Sequence, residues 1–317
     1  MISFVCPVYN EQDSLVEFFL SLRTVVSQLD EPDCAQWEVI FVNDGSTDAT
    51  CRIVDDIIAD DASDVVKQIV LARNYGKEVA LSAGLQAACG DAVLMLDSDG
   101  QHPVDLIPEF IAKWRNGAQS VVGIRRSNRK TGRGKKLFSK AWGKMQKKIF
   151  EDKMPEGMTD FCLLDREVVN AVNGITEHGR MMRSLVNLVG FDKAFIEFDA
   201  LERIGGTPTY TFKKLYNLTL NSITSLSTWP LTFILHFGIL VSVVSFLVDL
   251  FVVVEKYLLH DPFDWDLSGA AIVAVSVVVL VGIVFIVLGV LGLYISKITK
   301  EVQGRPLFII NKRKSTL

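Results

Sequence analysis

Residues 93–103 read VLMLDSDGQHP and decide the fold class of this chain. The apolar run is short enough for a buried parallel strand, and Asp97 and Asp99 follow where that strand would end. In open α/β sheets the ligand crevice lies beyond the carboxyl ends of the strands. Two carboxylates placed there can hold Mg²⁺ or Mn²⁺, and such a metal can neutralise a diphosphate leaving group. A solvated turn after a strand remains the alternative, because short acidic motifs are common.

Further short apolar runs alternate with amphipathic stretches through the N-terminal half. This alternation predicts βαβ units and a mainly parallel sheet. A second acid cluster, residues 43–46 (NDGS), follows another run, although Ser46 or Asp48 could instead cap the next helix. Residues 124–160 read as a basic loop leading into a helix, and residues 160–199 as a smaller mixed segment that completes the domain. The predicted strands are 3–5, 39–42, 68–71, 93–96 and 120–123, and the predicted helices are 11–28, 48–58, 78–88 and 104–115.

The C-terminal third is too apolar for an ordinary soluble protein. Hydrophobic residues make up 49% of the 317 residues, and the mean hydropathy is +0.29. Residues 231–254 carry one charge, Asp249, and residues 269–296 carry none. At about 1.5 Å per residue, each segment can cross a hydrocarbon core of about 30 Å. We therefore predict two transmembrane helices, with two buried helices of a soluble core as the alternative.

The two spans define the expected organisation and topology. We expect a globular domain at 1–209, an amphipathic juxtamembrane helix at 210–230, transmembrane helices at 231–254 and 269–296, a hairpin at 255–268 and a basic tail at 297–317. The N-terminus has no basic region before its apolar run and so does not read as a signal peptide. The hairpin carries four acids and one Lys, whereas the tail carries six basic residues and one acid. This asymmetry places the domain and the tail in the cytoplasm, where the five scattered cysteines would stay reduced.

One basic stretch opposes the net charge of −4: residues 113–148 contain thirteen Lys or Arg and no acid. The stretch is either a solvated helix face or a surface for anionic lipid or a phosphate substrate. The predicted membrane spans favour the second interpretation. No nucleic-acid partner is needed to explain the charge.

Five motifs then occur in order along the chain: residues 5–11 (VCPVYNE), 43–46 (NDGS), 73–78 (RNYGKE), 97–103 (DSDGQHP) and 160–161 (DF). Together with the paired C-terminal spans, they resemble the polyprenyl-phosphate branch of the family 2 glycosyltransferases, which includes bactoprenol glucosyltransferases and dolichol-phosphate mannose synthases. The resemblance covers essentially the whole chain. It implies a GT-A fold, a nucleotide-sugar donor and a polyprenyl-phosphate acceptor.

Carried over residue by residue, the resemblance implies three sets of site residues. The nucleotide site would be lined by Pro7, Tyr9, Glu11, Asp44, Asp97 and Ser98, with Asp44 accepting from the base or the ribose. The metal, Mg²⁺ or Mn²⁺, would be held by Asp97, Asp99 and Gln101. The acceptor phosphate would be bound by Arg126, Arg129 and Arg203, and Asp160 would face the sugar. The implied catalytic residues are Asp99, Arg126, Arg129 and Asp160.

The chain departs from the family pattern at three places. Cys162 stands where many relatives have Arg, residues 206–210 (GTPTY) lack the usual Lys, and Gly100 replaces Leu. The first two departures each remove a cation that relatives have.

The expected chemistry follows from the acceptor. A lipid phosphate with a second pKa near 6 is anionic at neutral pH and needs little help from a base. We expect in-line attack with inversion, in which Asp160 is either a base or an orienting carboxylate. A structural cap before a helix at Arg166 is the alternative role for Asp160.

The sequence does not fix the donor sugar. Because the strongest resemblance is to bactoprenol glucosyltransferases, UDP-glucose and undecaprenyl phosphate are the expected substrates, with GDP-mannose or another nucleotide sugar as the alternative. A processive polysaccharide synthase and a non-catalytic membrane module are the rival classes. A processive synthase would need a Gln-x-x-Arg-Trp motif, which the chain lacks. A non-catalytic module would not need the acids at Asp44, Asp97, Asp99 and Asp160, which are all present. The resemblance also implies a multi-pass protein of the bacterial inner membrane and a homotetramer, for which Gly282, Gly289 and Gly292 permit close helix packing.

Overall fold

The computed structural model describes residues 1–29, 36–61, 65–126, 155, 157–201, 236–241, 243, 244, 247, 254 and 269–316. The chain divides into two compact units. One unit contains Met1–Tyr210 and Pro306–Leu317, and the other contains Thr211–Arg305.

The first unit is an α/β domain. Its strands are β1 (Ile2–Val8), β2 (Trp37–Asn43), β3 (Val66–Val70), β4 (Ala92–Met95), β5 (Ser120–Arg125), β6 (Met158–Asp165) and β7 (Lys193–Phe198). Its helices are α1 (Leu15–Ser27), α2 (Thr50–Asp60), α3 (Lys77–Ala87), α4 (Ile107–Arg115), α5 (Arg166–Gly174) and α6 (Met182–Leu188), with a 3₁₀ turn at Val104–Leu106.

The strands form one sheet in the order β3-β2-β1-β4-β6-β5-β7. Strand β6 runs antiparallel to β4 and β5, and the other neighbouring pairs are parallel. The predicted α/β class with a mainly parallel sheet is therefore confirmed. The mixed segment predicted at 160–199 supplies β6 and β7, so it completes the sheet itself.

Helices cover both faces of the sheet, and this explains why its central strands read as continuous apolar runs. Along β1, Phe4 packs in the cluster that contains α1 and α4, whereas Val5 packs in the cluster that contains α3, α5 and α6. Side chains alternate in this way because successive residues of a strand point to opposite faces. Each fully buried Phe or Leu contributes about 1.5–3 kcal/mol, so this double core holds the strand ends in place.

The C-terminal segment pairs with the edge of the sheet at β3. The N–H of Asn311 donates to the carbonyl of Val70 at 2.8 Å, and the N–H of Ala72 donates to the carbonyl of Ile309 at 2.8 Å. A further antiparallel bridge joins Gln68 to Thr316. The last part of the predicted basic tail thus belongs to the first unit and covers backbone groups that an edge strand would otherwise expose.

The second unit contains α7 (Gly269–Val302), which starts where the second predicted span starts and extends six residues further. Among the described residues, α7 has the one segment that is long and apolar enough to cross a membrane, Leu280–Val302. Its large apolar side chains are exposed, for example Phe285 at 68% and Ile286 at 67%. An exposed helix that is apolar all round is typical of a lipid environment. The juxtamembrane helix predicted at 210–230 lies outside the described residues, and so does most of the span predicted at 231–254, of which 236–241 are helical.

Candidate active site at the carboxyl ends of the strands

The predicted acids meet at one edge of the sheet. Asp44 directly follows β2, and Asp97 lies two residues beyond β4. Strand β6 is antiparallel to β4 and pairs Cys162 with Met95. Continuing that register by two residues places Asp160 opposite Asp97, beyond the end of β4. The parallel strands and the single antiparallel strand therefore bring the carboxylates together.

Asp160 lies within β6, so its alternative role as a helix cap is wrong. The cap of α5 is Asp165, whose side chain accepts the backbone N–H of Glu167 at 3.0 Å. A cap must lie at the first turn of its helix, and Asp160 is separated from α5 by half a strand. The side chain of Asp160 is instead buried in the site.

Asp44 organises the loop between β3 and α3. Its Oδ1 accepts the N–H of Tyr75 and its Oδ2 accepts the N–H of Gly76, both at 2.7 Å. Burial raises the pKa of Asp44 above its ordinary value, and the two N–H donors only partly offset this effect. At Gly45, a Cβ atom would lie 2.6 Å from the carbonyl carbon of Arg73, so only glycine permits this close approach. The contact of Asp44 with the base or the ribose stays a prediction.

The loop held by Asp44 delivers Lys77, the first residue of α3, to the centre of the site. The Nζ atom of Lys77 lies 2.7 Å from Oδ1 of Asp97 and 3.0 Å from Oδ2 of Asp160. Burial alone would lower the pKa of Lys77, but the charges of Asp97 and Asp160 outweigh it and raise the pKa above its ordinary value. Lys77 is therefore a permanent cation between two predicted site acids. Lys77 belongs to the motif at 73–78, but the sequence alone indicates no role for it.

Arg183 of α6 is a second basic residue that the sequence reasoning did not include. Its Nε atom lies 3.8 Å from Oδ1 of Asp160, too far for a hydrogen bond. Within the described part of the chain, this buried Oδ1 atom accepts no hydrogen bond. Glu78 follows Lys77 in the chain, and its pKa is raised to about 7, first by burial and then by the charge of Asp160. The hydrogen bond that Glu78 accepts from the N–H of Met182 lowers the pKa but does not offset this rise. The site thus concentrates acids in a poorly solvated space.

His102 fixes the peptide of Asp97. Its Nδ1 atom accepts the N–H of Asp97 at 3.0 Å, and its ring stacks on Phe161 with centroids 4.8 Å apart. Burial lowers the pKa of His102, although the charge of Asp97 opposes this shift. A neutral ring is required, because a protonated Nδ1 cannot accept a hydrogen bond.

Hydrogen bonds also hold Ser98 and Asp99 of the acid motif. The hydroxyl of Ser98 is buried and donates to the carbonyl of Pro7 at 3.1 Å, so it joins the end of β4 to β1. Oδ1 of Asp99 accepts the N–H of Gln101 at 3.0 Å. The structure thus gives Ser98 a structural bond, and its predicted contact with the nucleotide stays a prediction.

The loop after β1 presents two other predicted nucleotide residues. The ring of Tyr9 is 45% exposed, as a surface for packing against a base requires. The carboxylate of Glu11 accepts the hydroxyl of Ser14 at 2.8 Å, and the N–H of Glu11 donates to Thr50 at 2.9 Å. Glu11 therefore ties the start of α1 to the start of α2.

Arg126 follows β5, and its guanidinium is paired with acids of the neighbouring strand. Its Nε donates to Glu197 at 3.1 Å, and its Nη1 lies 3.6 Å from Asp199. The side chain is 58% exposed, so these ion pairs are weak. Arg129 and Arg203 lie outside the described residues, as do residues 127–154 of the basic loop predicted at 124–160.

The donor set at the end of β4 has the oxygen ligands that a hard divalent cation prefers. Among the described residues, no group of three His, Cys, Asp or Glu side chains is arranged to hold a metal. Mg²⁺ commonly binds one or two carboxylates and completes its shell with phosphate oxygens and water. The two carboxylates of Asp97 and Asp99 fit that pattern. They are too few to hold a metal with protein ligands alone.

Known proteins resemble this chain over most of its length. The family described as "Glycosyl transferase family 2" matches residues 3–172. The chain is 36% identical over 311 residues to the SfII prophage-derived bactoprenol glucosyl transferase of Shigella flexneri, covering 98% of this chain and 97% of that protein. It is also 36% identical over 310 residues to an uncharacterized glycosyltransferase of Synechocystis sp., covering 98% and 94%. Glucosyl-3-phosphoglycerate synthase from Mycobacterium tuberculosis, solved with Mn²⁺, uridine-diphosphate and phosphoglyceric acid, has 19% identity and a TM-score of 0.49, covering 71% of this chain and 77% of that chain.

Proposed function

This chain belongs to glycosyl transferase family 2, and on that premise we propose that it transfers one sugar from a nucleotide-diphosphate sugar to a polyprenyl phosphate. The family assignment made from the sequence motifs is confirmed, and the protein is a glycosyltransferase with a GT-A-like α/β fold. One observation of the site carries the proposal: the carboxylates of Asp97 and Asp160 converge on Lys77 where the parallel strands end. At this edge a donor diphosphate and an acceptor phosphate would meet.

The donor nucleotide would lie along the ends of β1, β2 and β4. Tyr9 offers an exposed ring for the base, and Asp44, which follows β2, donates its backbone N–H to the carbonyl of Val8, the residue before Tyr9, at 3.0 Å. The backbone of this pocket is held by the bonds of Ser98 and Glu11. A preorganised pocket of this kind binds with little loss of conformational entropy.

A divalent cation, Mg²⁺ or Mn²⁺, would be held by Asp97 and Asp99, with Gln101 beside them. When bound, it supplies positive charge that stabilises the leaving diphosphate. Lys77 and Arg126 add fixed positive charge from the chain itself.

The acceptor phosphate oxygen would bond to the anomeric carbon while the bond from that carbon to the diphosphate oxygen breaks, which inverts the configuration. Asp160 is buried, and its Oδ2 accepts from Lys77, so it suits an orienting carboxylate better than a free base. Arg126, Arg129 and Arg203 would bind the acceptor phosphate, because the guanidinium fork grips phosphate oxygens bidentately.

The proposed topology is a multi-pass protein of the bacterial inner membrane with a cytoplasmic catalytic domain. The segment after α7 pairs with β3 of the domain, so this segment lies on the same side of the membrane as the domain. If α7 crosses the membrane, a second crossing must precede it, and the apolar run at 231–254 can supply it. We also propose a homotetramer. Among the described residues, a Cβ atom at Gly282, Gly289 or Gly292 would meet no atom within 4 Å, so these positions permit close approach of another helix.

UDP-glucose is the proposed donor and undecaprenyl phosphate the proposed acceptor, since a relative aligned over nearly the whole chain is named a bactoprenol glucosyl transferase. The test is a panel of nucleotide sugars, including GDP-mannose, incubated with undecaprenyl phosphate and the purified full-length protein. We expect UDP-glucose to give the fastest formation of a lipid-linked sugar by mass spectrometry. A faster reaction with another donor would overturn the choice of sugar, and no product with any donor would overturn the function.

A further inference from the structure

Both oxygens of the predicted metal ligand Asp97 face an ammonium of the protein itself. The Nζ atom of Lys77 lies 2.7 Å from Oδ1 and 2.9 Å from Oδ2 of Asp97. The same atom donates to Oδ2 of Asp160 at 3.0 Å. Lys77 therefore stands where a divalent cation bound to Asp97 would also need to be.

The backbone of Lys77 is fixed, but its ammonium can move. Asp44 holds Gly76, the residue immediately before α3, by a hydrogen bond of 2.7 Å. The side chain of Lys77 is nevertheless 40% exposed and has a flexible four-carbon stem. The ammonium can therefore change its partner while α3 stays in place.

Two cations compete for Asp97. A bare metal ion must displace the ammonium and leave it without one of its two carboxylates. A metal that arrives on a diphosphate brings additional anionic oxygens, and these can accept the ammonium that Asp97 releases. The exchange is therefore favourable only when the metal and the diphosphate bind together, which is a positive coupling between the two ligands.

We propose that Lys77 is a positioning residue that keeps divalent metal off Asp97 until the donor diphosphate binds. In the donor-free protein Lys77 joins Asp97 to Asp160. On donor binding its ammonium moves from Asp97 to the diphosphate and keeps its bond to Asp160, which Arg183 also faces from 3.8 Å. The proposal rests on the proposed function for the identity of the diphosphate.

The experiment measures Mn²⁺ binding to the purified full-length protein by electron paramagnetic resonance, with and without UDP. Without UDP, we expect Lys77→Met to bind Mn²⁺ at least about ten-fold more tightly than the wild type, because the competing cation is gone. UDP should tighten Mn²⁺ binding strongly in the wild type and only slightly in Lys77→Met. Lys77→Arg keeps the charge and should bind Mn²⁺ without UDP as weakly as the wild type.

Lys67→Met is the matched control. Lys67 is also bonded to a carboxylate, Oε2 of Glu38, at 2.7 Å, but it lies near the start of β3, whereas Asp97 lies beyond the end of β4. This variant should leave Mn²⁺ binding unchanged. Melting temperatures show which variants are folded, and Lys77→Gln replaces Lys77→Met if the latter is not.

Equal or weaker Mn²⁺ binding in the neutral Lys77 variant without UDP would overturn the proposal, since a lysine with only a structural role would not tighten metal binding when removed. Absence of Mn²⁺ binding in both proteins would also overturn it, because Asp97 would then not be a ligand. The measurement uses no sugar donor and no lipid. A failure of sugar transfer would therefore refute the proposed function without altering this result.

Discussion

The Nδ1 atom of His102 accepts the backbone N–H of Asp97 at 3.0 Å, so a histidine of the acid motif holds the peptide of that motif's first acid. The same ring stacks on Phe161 of β6, the residue after Asp160. One imidazole thus fixes Asp97 and packs against the strand that carries Asp160. This arrangement requires His102 to be neutral.

We expect the stability of the domain to fall as the pH drops below about 6.5, the ordinary pKa of histidine. Burial lowers the pKa of His102 in the folded state, so the unfolded chain takes up a proton first. The stability that neutral His102 contributes is fully present above the pKa that this residue has in the unfolded chain. It is lost as the pH falls toward the lower pKa of His102 in the folded protein. His102→Phe keeps an aromatic ring against Phe161 but leaves the N–H of Asp97 without its acceptor, which should cost about 1–3 kcal/mol.

Melting temperatures measured between about pH 5 and pH 8 check both effects. The raised pKa of Glu78 acts in the opposite direction, because stability gained by its protonation is lost as the pH rises through about 7. The comparison of wild type with His102→Phe removes this common contribution. His178→Phe is the control, and an identical pH profile for wild type and His102→Phe would contradict the assignment.

Arg126 should bind phosphate, although it is paired with Glu197 and Asp199 in this structure. Arg126→Lys keeps the charge but loses the bidentate fork, so turnover should fall, and Arg126→Ala should lower it further. The expected loss is about 1–3 kcal/mol for a charged hydrogen bond. The same substitutions at Arg129 should behave alike.

Steady-state kinetics in one lipid mixture measure these losses. Lys144→Ala and Lys147→Ala, from the same basic stretch, are the controls and should cost far less. If Arg126→Ala and Arg129→Ala were as active as these controls, the stretch would be only a surface that attracts anionic lipid.

Local sequence patterns predict some residues of the site and not others. Asp44 and Asp97 were placed at the site because acids that follow apolar runs fall at the carboxyl edge of a parallel sheet. Lys77 was missed because a single Lys at the start of a helix normally reads as a solvated charge, and only the β3–α3 loop brings it to the acids. Arg183 was missed because α6 carries no motif. The pairing of the tail with β3 joins residues more than 200 positions apart, and local patterns do not encode such a contact.

Activity should depend on a divalent cation, because Asp97 and Asp99 supply oxygen ligands and no positive charge. Removing metal with EDTA should abolish turnover, and adding Mg²⁺ or Mn²⁺ should restore it. Asp99→Asn should lose most turnover while its melting temperature stays close to that of the wild type, since the Asn oxygen can still accept the N–H of Gln101. Full activity of Asp99→Asn in EDTA would show that the reaction does not need a metal at this site.

The domain and the C-terminal segment should both face the cytoplasm. Lys312 is exposed in the segment that pairs with β3, so a cysteine placed there should react with a membrane-impermeant thiol reagent only after the cells are opened. A cysteine at Asp261, in the predicted hairpin, should react in intact cells. Labelling of the Lys312→Cys protein from outside would overturn the topology.

The central claim is a single inverting transfer onto a lipid phosphate, and the structure of the product tests it most directly. Wild-type protein and Asp160→Asn are incubated with UDP-glucose and undecaprenyl phosphate, and the lipid product is analysed by mass spectrometry and by NMR of its anomeric proton. We expect one glucose per lipid, joined through one phosphate in the β configuration, and little product from Asp160→Asn. An α-linked product, a chain of several sugars or full activity of Asp160→Asn would contradict the mechanism.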